Sequence, residues 1–281
     1  MNPIYTSAAG ERAVMELYDS ALASWPVPHS VRTVPTRHGD TFAISSGPED
    51  APALVLIHGA GTNSTMWSGQ VAAYSRDHRV LAIDLPGEPG KSAPNRPAWD
   101  GPAFAEWLED MFAGLDLRSA TIVGLSQGAW TALKFASARP ELVDALVLVS
   151  PGGIVRDKLS FLLRVLPLTL LGAWGQRRIN RLVLGGETVP AEVEAAMALI
   201  RRHFKPRLGA LPIFSDAELR RLTMPVQLVM GGRDALRDAR AISERLGALI
   251  PNLTATILPE AGHAVVNAHP HIRRFLDGRP A

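Results

Sequence analysis

The sequence predicts an α/β fold in which helices cover both faces of a mostly parallel sheet. Short apolar runs recur along the chain, and helical stretches separate most of them. The runs cover residues 53–57, 80–83, 120–123, 145–149, 226–230 and 253–258. Continuous apolar strands that alternate with helices are typical of a parallel sheet buried on both faces.

Length and composition agree with a large buried core. The chain has 281 residues, of which 47% are hydrophobic, enough for one large α/β domain or a core with a small insertion. The absence of cysteine excludes disulfides, thiol catalysis and thiolate metal sites. A net charge of +2 gives no reason to propose nucleic acid as a partner.

The N-terminal part predicts a helix followed by a hairpin. Apolar residues fall at helical spacing over residues 11–25, which predicts an amphipathic helix that packs on the domain, with a partner-binding helix as the alternative. Residues 31–34 and 41–44 flank His38-Gly39-Asp40 and predict an antiparallel hairpin.

The alternation of strands and helices stops between residues 151 and 215. This segment reads as several short helices and holds ten lysines or arginines against four acids, a net charge of +6 that leaves −4 for the rest. We therefore expect a core over residues 1–150 and 216–281, interrupted by a helical cap over residues 151–215. The cap's arginines either recruit an anionic substrate or form a solvated basic face.

Membrane and targeting signals are weak. Residues 1–10 lack a basic region followed by an apolar core, so no signal peptide is expected. The most apolar stretch, residues 159–174, is short for a span and contains Arg164 and Pro167. These observations predict a cytoplasmic protein without membrane insertion, and they give no oligomeric state.

Gly124-Leu125-Ser126-Gln127-Gly128 follows an apolar run and precedes a helical stretch. A G-x-S-x-G motif between a strand and a helix is typical of a nucleophile elbow, the sharp turn that presents a catalytic serine. The turn forces the serine into a strained backbone region, and only small residues two positions before and after it avoid a clash. The alternative is an ordinary glycine-flanked turn, so the partners of Ser126 must be found.

A serine nucleophile needs a base, a group that orients the base, and donors for the oxyanion. The acid candidate is Asp234, which follows the run ending at residue 230, and the base candidate is His263, which follows the final run. Asp238 and Asp144 are weaker candidates for the acid of the triad. Asp238 is expected in the next helix, and Asp144 precedes its strand. The expected oxyanion donors are the backbone N–H groups of Ala60 and Gln127. Both are assigned from position, because Ala60 follows the strand that ends at residue 57 and Gln127 follows the serine of the elbow.

Other residues and short motifs in the loops allow further interpretations. Gly61 is a second candidate for the donor at the first loop, and His58 is expected to brace that loop. The segment 88–92 resembles the end of a P-loop but lacks its first glycine, and Gly59-Ala60-Gly61 lacks the third glycine of a dinucleotide site. His269 and His271 have no carboxylate nearby, so a helix start is expected there, and no metal or cofactor site is predicted.

These motifs resemble the Ser-His-Asp α/β-hydrolases of the lipase, esterase and haloperoxidase-like superfamily, and more loosely its bacterial carboxylesterase-like members. The matching segments are His58-Gly59, Asp84-Leu85-Pro86-Gly87 with Gly90 and Ser92, the elbow, Gly232-Arg233-Asp234 and Gly262-His263. The resemblance implies the α/β-hydrolase fold, and the cap falls where the family has one. The chain departs from the family pattern at Glu88-Pro89, which lies inside the loop after Asp84.

We therefore predict a serine hydrolase that cleaves a small carboxylic ester through an acyl-enzyme. The alternatives are C–C bond hydrolysis, perhydrolysis or thioester cleavage by the same triad, or a receptor with slow turnover. The expected substrate is a small apolar ester or related acyl compound. The candidate pocket residues, which alternatively pack the cap on the core, are Met66, Trp67, Phe161, Leu162, Trp174 and Val265.

Overall fold

The structure, a computed structural model, describes residues 2–278, except for the side chain of Ala173. Eight strands of this part form one sheet in the order β1-β2-β4-β3-β5-β6-β7-β8. The strands are β1 (His29–Val34), β2 (Thr41–Ser46), β3 (Ala53–Ile57), β4 (Arg79–Ile83), β5 (Ala120–Leu125), β6 (Val143–Val149), β7 (Val226–Gly231) and β8 (Leu253–Leu258). Strand β2 runs antiparallel to β1 and β4. The remaining neighbours in the sheet, β4-β3-β5-β6-β7-β8, all pair in parallel. The predicted α/β fold is confirmed.

Helices cover the two faces of this sheet. They are α1 (Ala8–Ala23), α2 (Ser68–Tyr74), α3 (Ala103–Gly114), α4 (Gln127–Ala138), α5 (Leu159–Thr169), α6 (Gly172–Leu184), α7 (Ala191–His203), α8 (Asp216–Leu219), α9 (Ala239–Leu249) and α10 (His269–Asp277). One core cluster joins the sheet to α3, α4, α8 and α9, and a second joins it to α1, α2 and α10. Val55 belongs to the first cluster and its neighbours Leu54 and Leu56 to the second, as expected where successive side chains point to opposite faces.

Helix α1 begins and ends earlier than the apolar spacing predicts. The Ser7 side chain accepts a hydrogen bond from the Gly10 N–H at 3.0 Å, so the helix begins at Ala8. Trp25 precedes Pro26, which disfavours the helical conformation at Trp25, and the helix ends at Ala23. Trp25 is nevertheless buried, and its indole N–H donates to Ser46 at 3.0 Å. The predicted hairpin is confirmed, with Val31 paired to Ile44.

The segment between residues 151 and 215, whose backbone is described throughout, contains α5, α6 and α7 and no strand. Its one β-type pairing is an isolated bridge between Phe204 and Tyr5. Helix α7 packs on α1 through a small cluster that contains Val14, Ile200 and Phe204. The segment is thus helical, as expected, and its division from the core as a cap stays a prediction.

No helix within residues 2–278 combines the length and the apolar character that crossing a membrane requires.

Candidate active site

Ser126 occupies the sharp turn between β5 and α4. Its backbone has φ 54° and ψ −106°, a left-handed conformation that is strained for any residue except glycine. A Cβ on Gly124 would lie 2.5 Å from the Ala129 nitrogen, and one on Gly128 would lie 2.3 Å from the Ile57 carbonyl oxygen. The predicted strain and the predicted need for small flanking residues are both present.

The structure brings Ser126, His263 and Asp234 together at the carboxyl edge of the sheet. His263 Nε2 lies 3.0 Å from Ser126 Oγ, and His263 Nδ1 lies 2.8 Å from Asp234 Oδ2. Because an ionised carboxylate only accepts hydrogen bonds, Nδ1 carries the ring proton and Nε2 is free to accept the serine proton. Three loops that are distant in sequence thus form one hydrogen-bonded chain.

Asp234 is held as a carboxylate by its surroundings. Its other oxygen, Oδ1, accepts the backbone N–H groups of Leu236 at 2.8 Å and Arg237 at 2.9 Å. Burial raises the pKa of Asp234, but the hydrogen bonds from His263 and these two amides outweigh burial and hold the pKa below its ordinary value. The carboxylate therefore stays charged and orients the imidazole. Asp238, the weaker candidate, accepts from the Ala241 N–H and caps α9.

The two expected oxyanion donors lie on the loop after β3 and at the start of α4. Ala60 is exposed, and Gln127 is the first residue of α4. Gly61, the alternative donor, is already engaged, because its N–H donates to Glu88 Oε2 at 2.7 Å. This bond leaves Ala60 as the candidate on the first loop.

Glu88 is a buried carboxylate that sequence reasoning did not assign to the site. The residue is 3% exposed, and the Gln127 side chain also hydrogen-bonds to it. Burial raises the pKa of Glu88 to about 7, against the lowering effects of these hydrogen bonds and of the charges on Arg96 and Arg207. The signal available in the sequence was an acidic residue inside a Gly/Pro loop after a strand.

His58 braces the first loop, as expected. The Leu85 N–H donates to His58 Nε2 at 2.8 Å, so the ring proton is on Nδ1, which donates to the Gly59 carbonyl at 2.8 Å. Burial lowers the pKa of His58 and keeps the ring neutral. Asp84 ties the next loop in place by accepting the backbone N–H groups of Ser64 at 2.8 Å and Lys91 at 2.7 Å.

The end of α6 packs directly on the loop that carries His263. The His263 N–H donates to the Val183 carbonyl at 2.7 Å. A Cβ on Gly262 would lie 2.3 Å from the Gly185 nitrogen, so the two backbones touch at glycines. Gly185 has φ 64° and ends the helix in the left-handed conformation. Sequence reasoning missed this contact, which couples the predicted cap to the imidazole.

The candidate pocket residues are found in two different environments. Trp67 and Val265 are buried in one core cluster, and Met66 packs against it. Phe161 is half-buried, whereas Leu162 and Trp174 are exposed. Trp174 lines a groove of about 350 Å³ between α5 and α6. Their contact with substrate stays a prediction.

Among residues 2–278, no group of three or more His, Asp or Glu side chains is placed to hold a metal ion.

Comparison with known proteins places the chain in a family. A family model described as the alpha/beta hydrolase family matches residues 54–272. The carboxylesterase YbfK of Bacillus subtilis is 33% identical over 88% of this chain and 86% of the relative, and the uncharacterised carboxylesterase nap of the same organism is 30% identical over 91% and 87%.

Solved structures agree with the sequence relatives. The crystal structure of carboxylesterase CesB (YbfK) from B. subtilis superposes with a TM-score of 0.85 at 30% identity, covering 97% of this chain and 100% of that chain. The naproxen esterase from B. subtilis gives 0.84 at 27% identity, covering 96% and 99%. The predicted resemblance is confirmed: this chain belongs to the alpha/beta hydrolase family and is a carboxylesterase-like member of it.

Proposed function

We propose that the protein hydrolyses carboxylic esters through an acyl-enzyme, with Ser126 as the nucleophile. The observation that carries the proposal is the hydrogen-bonded chain from Ser126 Oγ through both nitrogens of His263 to Asp234, with distances of 3.0 and 2.8 Å. These lengths are within the reach that general-base activation of a serine requires.

Ester cleavage on this chain takes two steps. Ser126 Oγ attacks the substrate carbonyl while His263 Nε2 takes its proton, and the imidazolium then gives that proton to the leaving alcohol. Water attacks the acyl-enzyme with the same assistance and releases the acid. Asp234 holds Nδ1–H towards itself and stabilises the imidazolium without becoming protonated, in keeping with its lowered pKa.

The oxyanion is assigned to the backbone N–H groups of Ala60 and Gln127. Gln127 begins α4, where unpaired N–H groups and the helix dipole favour a developing negative charge. The Gly61 N–H is committed to Glu88, which supports Ala60 as the second donor. Removal of one oxyanion donor costs about 100- to 1,000-fold in turnover in a serine protease of unrelated fold.

The substrate class is a small, apolar ester. Support comes from Met66, Trp67 and Val265, which share a core cluster with Leu125, the residue before Ser126, and from a similar structure described as a naproxen esterase. Cleavage of p-nitrophenyl esters of increasing acyl length tests this preference. A cytoplasmic location, no nucleic acid partner and the absence of a cofactor stay predictions from the sequence.

Labelling with a fluorophosphonate, followed by peptide mapping, tests the nucleophile. We expect a single adduct on Ser126, and an adduct elsewhere or none at all refutes the assignment. Ser126→Ala should lower kcat by up to about a millionfold, as in other serine hydrolases.

A matched pair of aspartate variants tests the acid. Asp234→Asn should lower kcat by about 10⁴-fold, because the amide no longer fixes the required tautomer. Asp238→Asn is the control, because asparagine caps a helix as well as aspartate does. If the two substitutions lowered kcat equally, the assignment of Asp234 as the acid of the triad would be refuted.

A further inference from the structure

The outward face of α5 is a stripe of leucines. The stripe recurs at helical spacing and consists of Leu159, Leu162, Leu163, Leu166 and, directly after the end of the helix, Leu170; the exposed fractions of these side chains range from 56% to 85%. No residue of α5 is buried. A stripe of this kind is normally turned towards a core, and a contiguous exposed apolar patch marks a surface that binds something.

Helix α6 presents a basic aromatic face beside this stripe. Trp174, Arg177, Arg178 and Arg181 also recur at helical spacing and are exposed. The Arg178 guanidinium lies 5.2 Å from the centre of the Trp174 ring. Arg164, Arg178 and Arg181 line the groove between the two helices. We call the leucine stripe, Trp174 and these four arginines the cap face.

The positive charge of the cap face is uncompensated within the described part of the chain. None of its four arginines forms an ion pair with a carboxylate of residues 2–278. Asp157, the acid that precedes α5, is instead paired with Arg237. An occupant of this face must therefore bring negative charge as well as apolar surface.

We propose that the cap face docks on the surface of an anionic lipid bilayer. Leucines of a surface helix enter the boundary between headgroups and acyl chains, tryptophan prefers the same depth, and arginines bind anionic headgroups. Each arginine near such a surface strengthens binding by about fivefold. A helix docked in this way lies in the interface between the membrane and water, so no spanning helix is required.

Charge argues against a second copy of this chain as the occupant. A twofold contact places the same patch of both copies face to face, which would bring two unpaired arginine clusters together. Like charges at such a contact repel, whereas anionic headgroups neutralise them. The proposal concerns binding alone and does not depend on the reaction at Ser126.

Vesicle flotation with the full-length protein tests the proposal. The probes are vesicles of phosphatidylcholine alone and vesicles of phosphatidylcholine with about one-third phosphatidylserine. We expect binding to the anionic vesicles, at least about 10-fold weaker binding to the neutral ones, and a further loss in high salt, because salt screens exposed charges. Equal binding to both vesicle types, or no binding to either, overturns the proposal.

Two sets of variants separate the contributions of the leucines and of the arginines of the cap face to vesicle binding. Leu163→Gln with Leu166→Gln should weaken binding at least about 10-fold, because two apolar side chains that would enter the bilayer are lost. Leu208→Gln is the apolar control, because Leu208 is 88% exposed and lies outside the cap face. Circular dichroism and thermal unfolding serve to check that each variant is folded.

The basic part is tested by replacing Arg177, Arg178 and Arg181 with glutamine, which should weaken binding by about 100-fold. The matched control replaces three exposed arginines elsewhere, Arg12, Arg76 and Arg118. Equal losses in the two triple variants would show a general effect of net charge and would overturn the proposal. Dimerisation in sedimentation that the leucine variants abolish, without vesicle binding, would assign the face to a second copy instead.

Discussion

Replacement of Glu88 by glutamine removes a buried titratable group while nearly preserving the shape of the side chain. Glu88 lies 3% exposed beside the predicted oxyanion loop, where it accepts the Gly61 N–H at 2.7 Å. Glutamine retains an acceptor oxygen for this bond but does not titrate. The variant therefore isolates the consequence of a carboxylate in this position for the stability of the fold.

The size of the effect follows from proton linkage. Burial raises the pKa of Glu88 from 4.5 to about 7 in the folded protein. Since the folded state holds the proton more tightly, the stabilising contribution is complete below pH 4.5 and is lost as the pH rises through 7. Between pH 5 and pH 8 the wild-type protein should lose about 2–3 kcal/mol of stability through this group alone.

Urea unfolding of both proteins at pH 5 and at pH 8 measures this loss. The free energy of unfolding of Glu88→Gln minus that of wild type should be about 2–3 kcal/mol higher at pH 8 than at pH 5, because only wild type loses stability over this range. Glu49→Gln, on an exposed glutamate, is the control and should leave the pH dependence as it is in wild type. A change with pH below about 0.5 kcal/mol in Glu88→Gln would refute the reasoning.

Three further substitutions test close contacts. Gly128→Ala should lower stability in urea by about 1–3 kcal/mol or more, because the new Cβ would lie 2.3 Å from a carbonyl oxygen at the end of β3. Gly262→Ala should push against Gly185, displace the imidazole loop and lower kcat by about 100-fold, measured with a short-chain ester, and an unchanged kcat would contradict the cap contact. Trp25→Phe should cost about 1 kcal/mol in thermal or urea unfolding through the lost bond to Ser46, and Ser46→Ala in the same background should add little.

Much of the fold and the candidate triad was predictable because the signals are local. Apolar runs identified the parallel strands, and the glycines on both sides of Ser126 reflect a steric requirement within a single turn. Asp234 and His263 were selected because they follow β7 and β8, whose carboxyl ends meet β5 at one edge of the sheet. The predicted end of α1 was wrong by two residues, since apolar spacing does not register that Pro26 disfavours the helical conformation at Trp25.

The amino-acid sequence alone indicates the order of the strands along the chain, the elbow and the residues that follow each strand, because these depend on neighbours in the chain. Three features are visible only in the folded chain: Glu88 is buried beside Gly61, Gly185 touches Gly262, and the leucines of α5 face outward. The physical reason is that burial, pKa and exposure depend on which distant segments pack against a side chain, and apolar periodicity alone does not say whether a leucine stripe faces a core or an open surface.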